Sequence, residues 1–229
     1  MSADSPAIEL RGASRHFGER DALRDVTAAV PAGATLAVLG RNGAGKSTLL
    51  RILATLLRPH HGEVTILGEP LPKRAFSVRA RIGYLGHEPL LYRDLSGREN
   101  LAYHARLHRV SEDRIEELLD AVQMRHRAED PVRLLSRGMV QRLAVCRAVL
   151  HKPAVLLLDE PRASLDPAAE GLVEPLIGRL AKATRVLTSH DPRAALAEAD
   201  LVLGLKEGRV AFLTEPAQLQ DAQVEALYR

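Results

Sequence analysis

The chain has 229 residues, 46% hydrophobic and 27% charged, enough apolar material for one sizeable core and too much for a disordered polymer. Its net charge is +3, with Lys and Arg scattered among Asp and Glu, so no basic block argues for a nucleic-acid partner. No run approaches the roughly 18–20 apolar residues of a membrane span, residues 1–6 are polar rather than signal-like, and the single Cys146 excludes an internal disulfide and fits a reducing compartment.

Short apolar runs at residues 8–10, 23–30, 35–39, 64–67, 82–85, 155–158, 186–188 and 201–205 predict strands. After the third of these, residues 46–57 set Leu49, Leu50, Ile52, Leu53, Leu56 and Leu57 in one broad stripe, which a helix packed on a sheet requires. Residues 89–152 lack strand patterning. Their best helical stretches are 100–109, 111–123 and 137–150, the second opened by Ser111 as an N-cap without a completed capping box. The α/β rhythm predicts one domain over 1–229: a mainly parallel sheet core (about 1–88 and 153–229) with a helical subdomain inserted at about 89–152.

The strongest chemical signal is Gly40-Arg41-Asn42-Gly43-Ala44-Gly45-Lys46-Ser47, with Thr48 following, which fits the phosphate-loop pattern between a predicted strand and a predicted helix. Gly40, Gly43 and Gly45 let the backbone curl until successive N–H groups point inward at phosphate oxygens. The helix N-terminus adds partial positive charge. Lys46 neutralises the β and γ phosphates and the Ser47 hydroxyl is a ligand for Mg²⁺, so ATP and Mg²⁺ are the expected ligands. A second signal is the strand 155–158 ending in Asp159 and Glu160. Acids at the carboxyl end of a buried parallel strand emerge where ligands bind. Asp159 is placed to hold Mg²⁺ through water and Glu160 to polarise the attacking water.

With these residues in place, the sequence resembles the ATP-binding-cassette (ABC) ATPase family along essentially its whole length. Leu135-Ser136-Arg137-Gly138-Met139, just before a predicted helix, looks like the family signature LSGGQ; Ser136 and Gly138 keep its hydroxyl and small backbone, whereas Arg137 and Met139 depart from it. The resemblance implies an N-terminal antiparallel β part, and a signature that caps the γ-phosphate of ATP bound to the other subunit. Taken alone, Ser136 reads equally as an ordinary helix N-cap. Ala163-Ser164-Leu165-Asp166 resembles the dimer-contacting D-loop, and His190 the switch histidine at the γ-phosphate. Phe17 stands where the family stacks an aromatic on adenine, with a core role as its alternative.

The family places Gln as an Mg²⁺ ligand at the junction into the helical insertion, and here His87 holds that slot in Gly86-His87-Glu88-Pro89. Imidazole is a softer partner for Mg²⁺ than an amide oxygen, which favours a contact through water. That junction and the signature region also look like the ATPase subunit of the cytochrome c maturation haem exporter. The resemblance implies a homodimer (or pairing with a second cassette) in which Lys46, Glu160 and His190 act at each ATP. It implies a separate integral membrane permease, and a cytoplasmic place on the inner face of the membrane. Haem export is then the expected work, with drug or lipid export, or a non-transport ABC ATPase, as alternatives. Of the other histidines, His104 and His108 are expected on a solvated helix face, His60 and His61 in an exposed turn. Cys146 is expected to be small and buried.

Overall fold

A computed structural model describes residues 5–229, so residues 1–4 of the polar start lie outside it. The chain runs β1 (Ile8–Phe17), β2 (Arg20–Val30), β3 (Thr35–Leu39), α1 (Lys46–Leu53), β4 (His61–Ile66), β5 (Glu69–Leu71), α2 (Ala75–Arg79) and β6 (Ile82–Leu85). It continues with α3 (Gly97–His108), α4 (Glu112–Ala121), α5 (Arg137–Val149), β7 (Val155–Asp159) and α6 (Pro167–Ile177). The last elements are β8 (Thr184–Thr188), α7 (Pro192–Glu198), β9 (Leu201–Lys206), β10 (Arg209–Thr214) and α8 (Asp221–Tyr228).

Two sheets form. The larger has the order β10-β9-β3-β8-β7-β6, parallel throughout except for the β9–β10 hairpin. The smaller, β2-β1-β4-β5, is antiparallel. The architecture is the expected α/β P-loop type with an N-terminal antiparallel part. Every residue of β3, β7 and β8 is buried, because a parallel sheet is covered on both faces. Alternation along each strand then feeds two cores. Leu36, Val38, Leu157 and Val186 join the core under α1 and the antiparallel sheet, while Ala37, Leu39, Leu156, Leu158 and Leu187 join the core containing α5 and α6 residues.

The differences from the expected elements have local causes. The first helix stops at Leu53 rather than 57: Thr55 takes φ 60, while Leu56 and Leu57 donate back to the Arg51 carbonyl. The first helix of the insertion begins at Gly97, because Ser96 and Glu99 form a capping box. Ser111 caps α4 without a side-chain bond. Strand β1 extends seven residues past the apolar run 8–10, carried by pairing with β2 and β4 across register shifts. Strands β5 and β10 were not expected: one is three residues long and the other alternates exposed and half-buried positions.

Candidate nucleotide site

The loop between β3 and α1 folds as its glycines require. Gly40, Gly43 and Gly45 have φ of 146°, 83° and 109°. A Cβ on Gly45 would stand 2.4 Å from the Ala22 carbonyl oxygen, and one on Gly40 2.3 Å from that of Leu205, so neither position admits a side chain. Lys46 curls back into the loop, donating to the carbonyls of Gly40 at 2.7 Å and Arg41 at 3.2 Å. Burial pulls its ammonium below the ordinary lysine value, opposed by the charges of Glu160 and Asp159. A cavity of about 500 Å³ opens here, lined by Phe17, Arg20, Ala22, Asn42, Gly43, Gly45, Lys46, Ser47, Thr48 and Glu160. That is the size of a small-molecule site.

Strand β7 ends beside this cavity: Glu160 lines it and Asp159 is buried next to it. Asp159 lies opposite Thr188 in the β7–β8 ladder, and the buried Thr188 hydroxyl donates to Asp159 Oδ1 at 2.7 Å. The Thr188 hydroxyl oxygen in turn accepts the Glu160 amide at 3.1 Å. Glu160 sits at φ 55, a left-handed conformation unusual for a non-glycine residue, which turns its carboxylate out of the strand line. Glu160 Oε1 meets His190 Nε2 at 2.8 Å. Two further links tie this corner to its surroundings. Gln141 of α5 donates to the Pro161 carbonyl at 3.0 Å, and Arg162 pairs with Glu174 of α6 at 2.7 Å and with Glu198 of α7.

Other expected site residues fall in different places. Phe17 is 47% exposed at the cavity mouth, with the Arg15 guanidinium 4.9 Å from its ring centre, so it is not a core residue. Arg41 turns its side chain away, donating to the Arg229 carbonyl at 2.7 Å beside α8, which leaves only its backbone for a phosphate. Ala44 is buried. His87 is exposed on the loop after β6. Ser136 caps α5, accepting the Met139 amide at 3.3 Å, and neither it nor Gly138 lines the cavity. Gly138 instead packs on the 163–166 segment, where an added Cβ would lie 3.3 Å from the Ser164 carbonyl. Asp166 is the N-cap of α6. Thr188, bonded to both Asp159 and Glu160, is the residue of this corner that the sequence did not single out. Its signal was a hydroxyl ending a buried apolar strand two positions before His190.

The remaining histidines divide. His60 and His61 are exposed as expected, although His61 opens strand β4 rather than lying in a turn, and Cys146 is fully buried. His104 and His108 do not lie on a solvated face: both are half-buried, and His108 stacks on His151 at 4.0 Å. Burial pushes His104 and His151 down to about 4 each. No group of three or more His, Cys, Asp or Glu suited to a metal ion occurs among the described residues.

The donor set fits a triphosphate with its Mg²⁺. Inward-curled amides, one lysine and a helix N-terminus meet the anion, and hard oxygen donors (Ser47, Asp159) suit the cation. Loop, helix and acid pair at the carboxyl edge of a parallel sheet define a P-loop nucleoside triphosphatase. Comparison with known proteins narrows the class. The family model described as ABC transporter matches residues 23–163. The chain is 37% identical over 229 residues to Nod factor export ATP-binding protein I of Sinorhizobium fredii, covering 97% of this chain and 67% of that one. It is 36% identical to the phosphonates import ATP-binding protein of Anaeromyxobacter dehalogenans, covering 99% of this chain and 49% of that protein, so it spans about half of that relative. A solved dimeric post-hydrolysis ATP-binding cassette, bound to ADP and Pi, superposes with TM-score 0.81 at 25% identity, over 91% of this chain and 98% of that one. The chain belongs to the ABC transporter family, as an ATP-binding cassette that hydrolyses ATP.

Proposed function

We propose that the chain is the ATP-hydrolysing subunit of a membrane transporter, working as one half of a head-to-tail homodimer or beside a second cassette. The observation that carries this reading is the split site. One chain sets the phosphate loop and Glu160 on one cavity, with the buried Asp159 next to Glu160 at the end of β7 and His190 paired to Glu160, while Ser136 and Gly138 stand apart from it at the start of α5. A second chain turned head to tail supplies them, and the dimeric cassette cited above supports that assembly. The packing of Gly138 on the 163–166 segment links the covering turn to the loop that follows Glu160.

Each residue then has a distinct task. The amides of residues 40–48 and Lys46 grip the β and γ phosphates, and Phe17 stacks on adenine. Ser47 and Asp159 would hold Mg²⁺, and His87 would reach it through water. When bound, Mg²⁺ neutralises charge on the phosphates. Glu160 takes a proton from the attacking water as its oxygen joins the γ-phosphorus, and the bond to the β–γ bridging oxygen breaks, leaving ADP and phosphate. His190, paired to Glu160, orients that carboxylate and contacts the γ-phosphate. Loss of the bridging phosphate removes a contact between the subunits and lets the dimer open.

No described helix is long and apolar enough to cross a membrane. In this reading a separate permease carries the cargo and holds this subunit peripherally on the cytoplasmic face. Its docking place is the groove between residues 87–89 and the helical subdomain (about 89–152). The exposed apolar side chains of Leu90, Tyr92, Tyr103 and Leu107 there support contact with a partner. The cargo is chosen by that permease. The relatives' names include both export and import, and haem export rests on the Gly86–Pro89 junction and the signature region alone.

The test is Glu160→Gln. The variant is expected to bind ATP as the wild type does, lose nearly all turnover and persist as an ATP-dependent dimer by size-exclusion chromatography. Copurification with an integral membrane protein tests the transport role. Wild-type turnover in Glu160→Gln, or copurification with ribosomes or DNA, would overturn the reading.

A further inference from the structure

Residues 160–164 begin and end on left-handed backbone, Glu160 at φ 55 and Ser164 at φ 67. Non-glycine residues persist in that conformation where surrounding contacts over-determine it. Part of the hold comes from Thr188 and Gln141, which bond the Glu160 amide and the Pro161 carbonyl. The rest comes from Arg162. Its guanidinium bridges two carboxylates, Glu174 of α6 at 2.7 Å and Glu198, the last residue of α7. Glu198 is itself fixed by the buried Arg185 of β8 at 2.9 Å, so this anchor does not swing freely.

Helix α7 meets the segment at both of its ends. At its start, Asp191 caps it next to His190, whose Nε2 lies 2.8 Å from Glu160 Oε1. At its end, Glu198 pairs with Arg162. Residues 160–162 and 190–198 are therefore cross-linked twice, and α7, seven residues or about 10 Å long, is the rigid side of a closed ring. Glu160, Arg162, His190 and Glu198 line a cavity of about 400 Å³. That space is not filled by packing, which leaves the ion pairs to set the distance between the two segments.

We infer that Arg162 is a positioning residue for hydrolysis: through Glu198 and Glu174 it keeps the Glu160 carboxylate and His190 facing each other. The inference rests on the roles proposed above for Glu160 and His190. A lone surface ion pair contributes little. Arg162 differs in being only 33% exposed, in answering to two carboxylates, and in standing two residues from Glu160. It does not line the nucleotide cavity, so its effect falls on turnover rather than on ATP binding.

Steady-state ATPase kinetics of the full chain test this. Arg162→Gln should lower kcat about tenfold and leave the KM for ATP within about twofold. Arg162→Lys keeps the charge but not the two-armed reach, and should recover part of the loss. In a His190→Ala background, followed under single-turnover conditions, adding Arg162→Gln should cost no further rate, because the positioned pair is already gone. If Arg162→Gln does not fold, Glu174→Gln removes one anchor, leaves the Glu198 link and should lower kcat about threefold. Unchanged kcat in the folded variant, a tenfold rise in KM with kcat intact, or a full tenfold further loss in the His190→Ala background overturns the inference. Glu160→Gln run in parallel separates the two readings. If it keeps wild-type turnover, the proposed roles and this inference fall together; if it is inactive while Arg162→Gln turns over normally, this inference alone falls.

Discussion

Thr188 and Asp159 are joined by a 2.7 Å hydrogen bond between the ends of neighbouring parallel strands, in the buried layer next to Glu160. One hydroxyl serves two clients, since its oxygen also accepts the Glu160 amide at 3.1 Å. Asp159 is thereby held in one orientation, and the turn that aims Glu160 is pinned. Thr188→Val keeps the shape and removes both bonds. Expected outcomes are a stability loss of about 1–2 kcal/mol and a fall of about 10–100-fold in turnover or in Mg²⁺ affinity, as for other residues that orient a metal ligand. Titrating ATPase activity with Mg²⁺ checks this. An unchanged activity curve would remove Thr188 from any positioning role.

A second prediction concerns Arg185, which is almost wholly buried within β8. It donates to Thr35 Oγ1 at 3.1 Å, to the Ile177 carbonyl at 2.9 Å and to Glu198 at 2.9 Å. Burial would raise the Glu198 carboxyl, but hydrogen bonds from Arg162 and Arg185 outweigh it and hold the group below the ordinary range. Breaking a buried pair from one side strands the other charge, at about 3–5 kcal/mol. Glu198→Ala should therefore lower Tm by about 10 °C for a chain of this size. Adding Arg185→Met to that variant should recover much of the loss, because no buried guanidinium is left without its carboxylate. Thermal unfolding of the three proteins decides; a double variant less stable than Glu198→Ala would refute the account.

The sequence announced the elements whose cause is local and repeated. Residues 35–39 and 82–85 are strands at the expected bounds because an uninterrupted apolar run is what a strand covered on both faces requires. The phosphate loop was equally legible, since its glycines answer to backbone approach alone. What escaped depends on partners distant in sequence. Thr188 becomes functional only through its register with Asp159, 29 residues away. Arg41 reads as a loop residue, yet its side chain answers to Arg229 at the other end of the chain. His104 and His108 carry a spacing that fits an exposed face equally well, and only the packing of α3 beside His151 buries them.

That burial gives the last prediction its sign. His104 and His151 are each pushed down to about 4, by burial first and by nearby positive charge second. His151 Nε2 donates to the Ile82 carbonyl at 3.0 Å, a bond the neutral ring already makes. In the unfolded chain both rings ionise near pH 6.5. As pH falls below 6.5 the unfolded chain takes up protons that the folded chain refuses, so stability declines down to about pH 4 and levels off below it. Both rings keep partial contact with water, so the combined effect is discounted to about 2 kcal/mol. That corresponds to a Tm loss of about 5 °C between pH 6.5 and 4.5. His104→Gln with His151→Gln replaces both titrating rings by neutral amides and should flatten the curve over that window, whatever it costs in stability at neutral pH. Parallel Tm-against-pH profiles of the two proteins are the measurement. If their slopes between pH 6.5 and 4.5 coincide, the acid sensitivity resides in other groups and the buried pair contributes nothing to it.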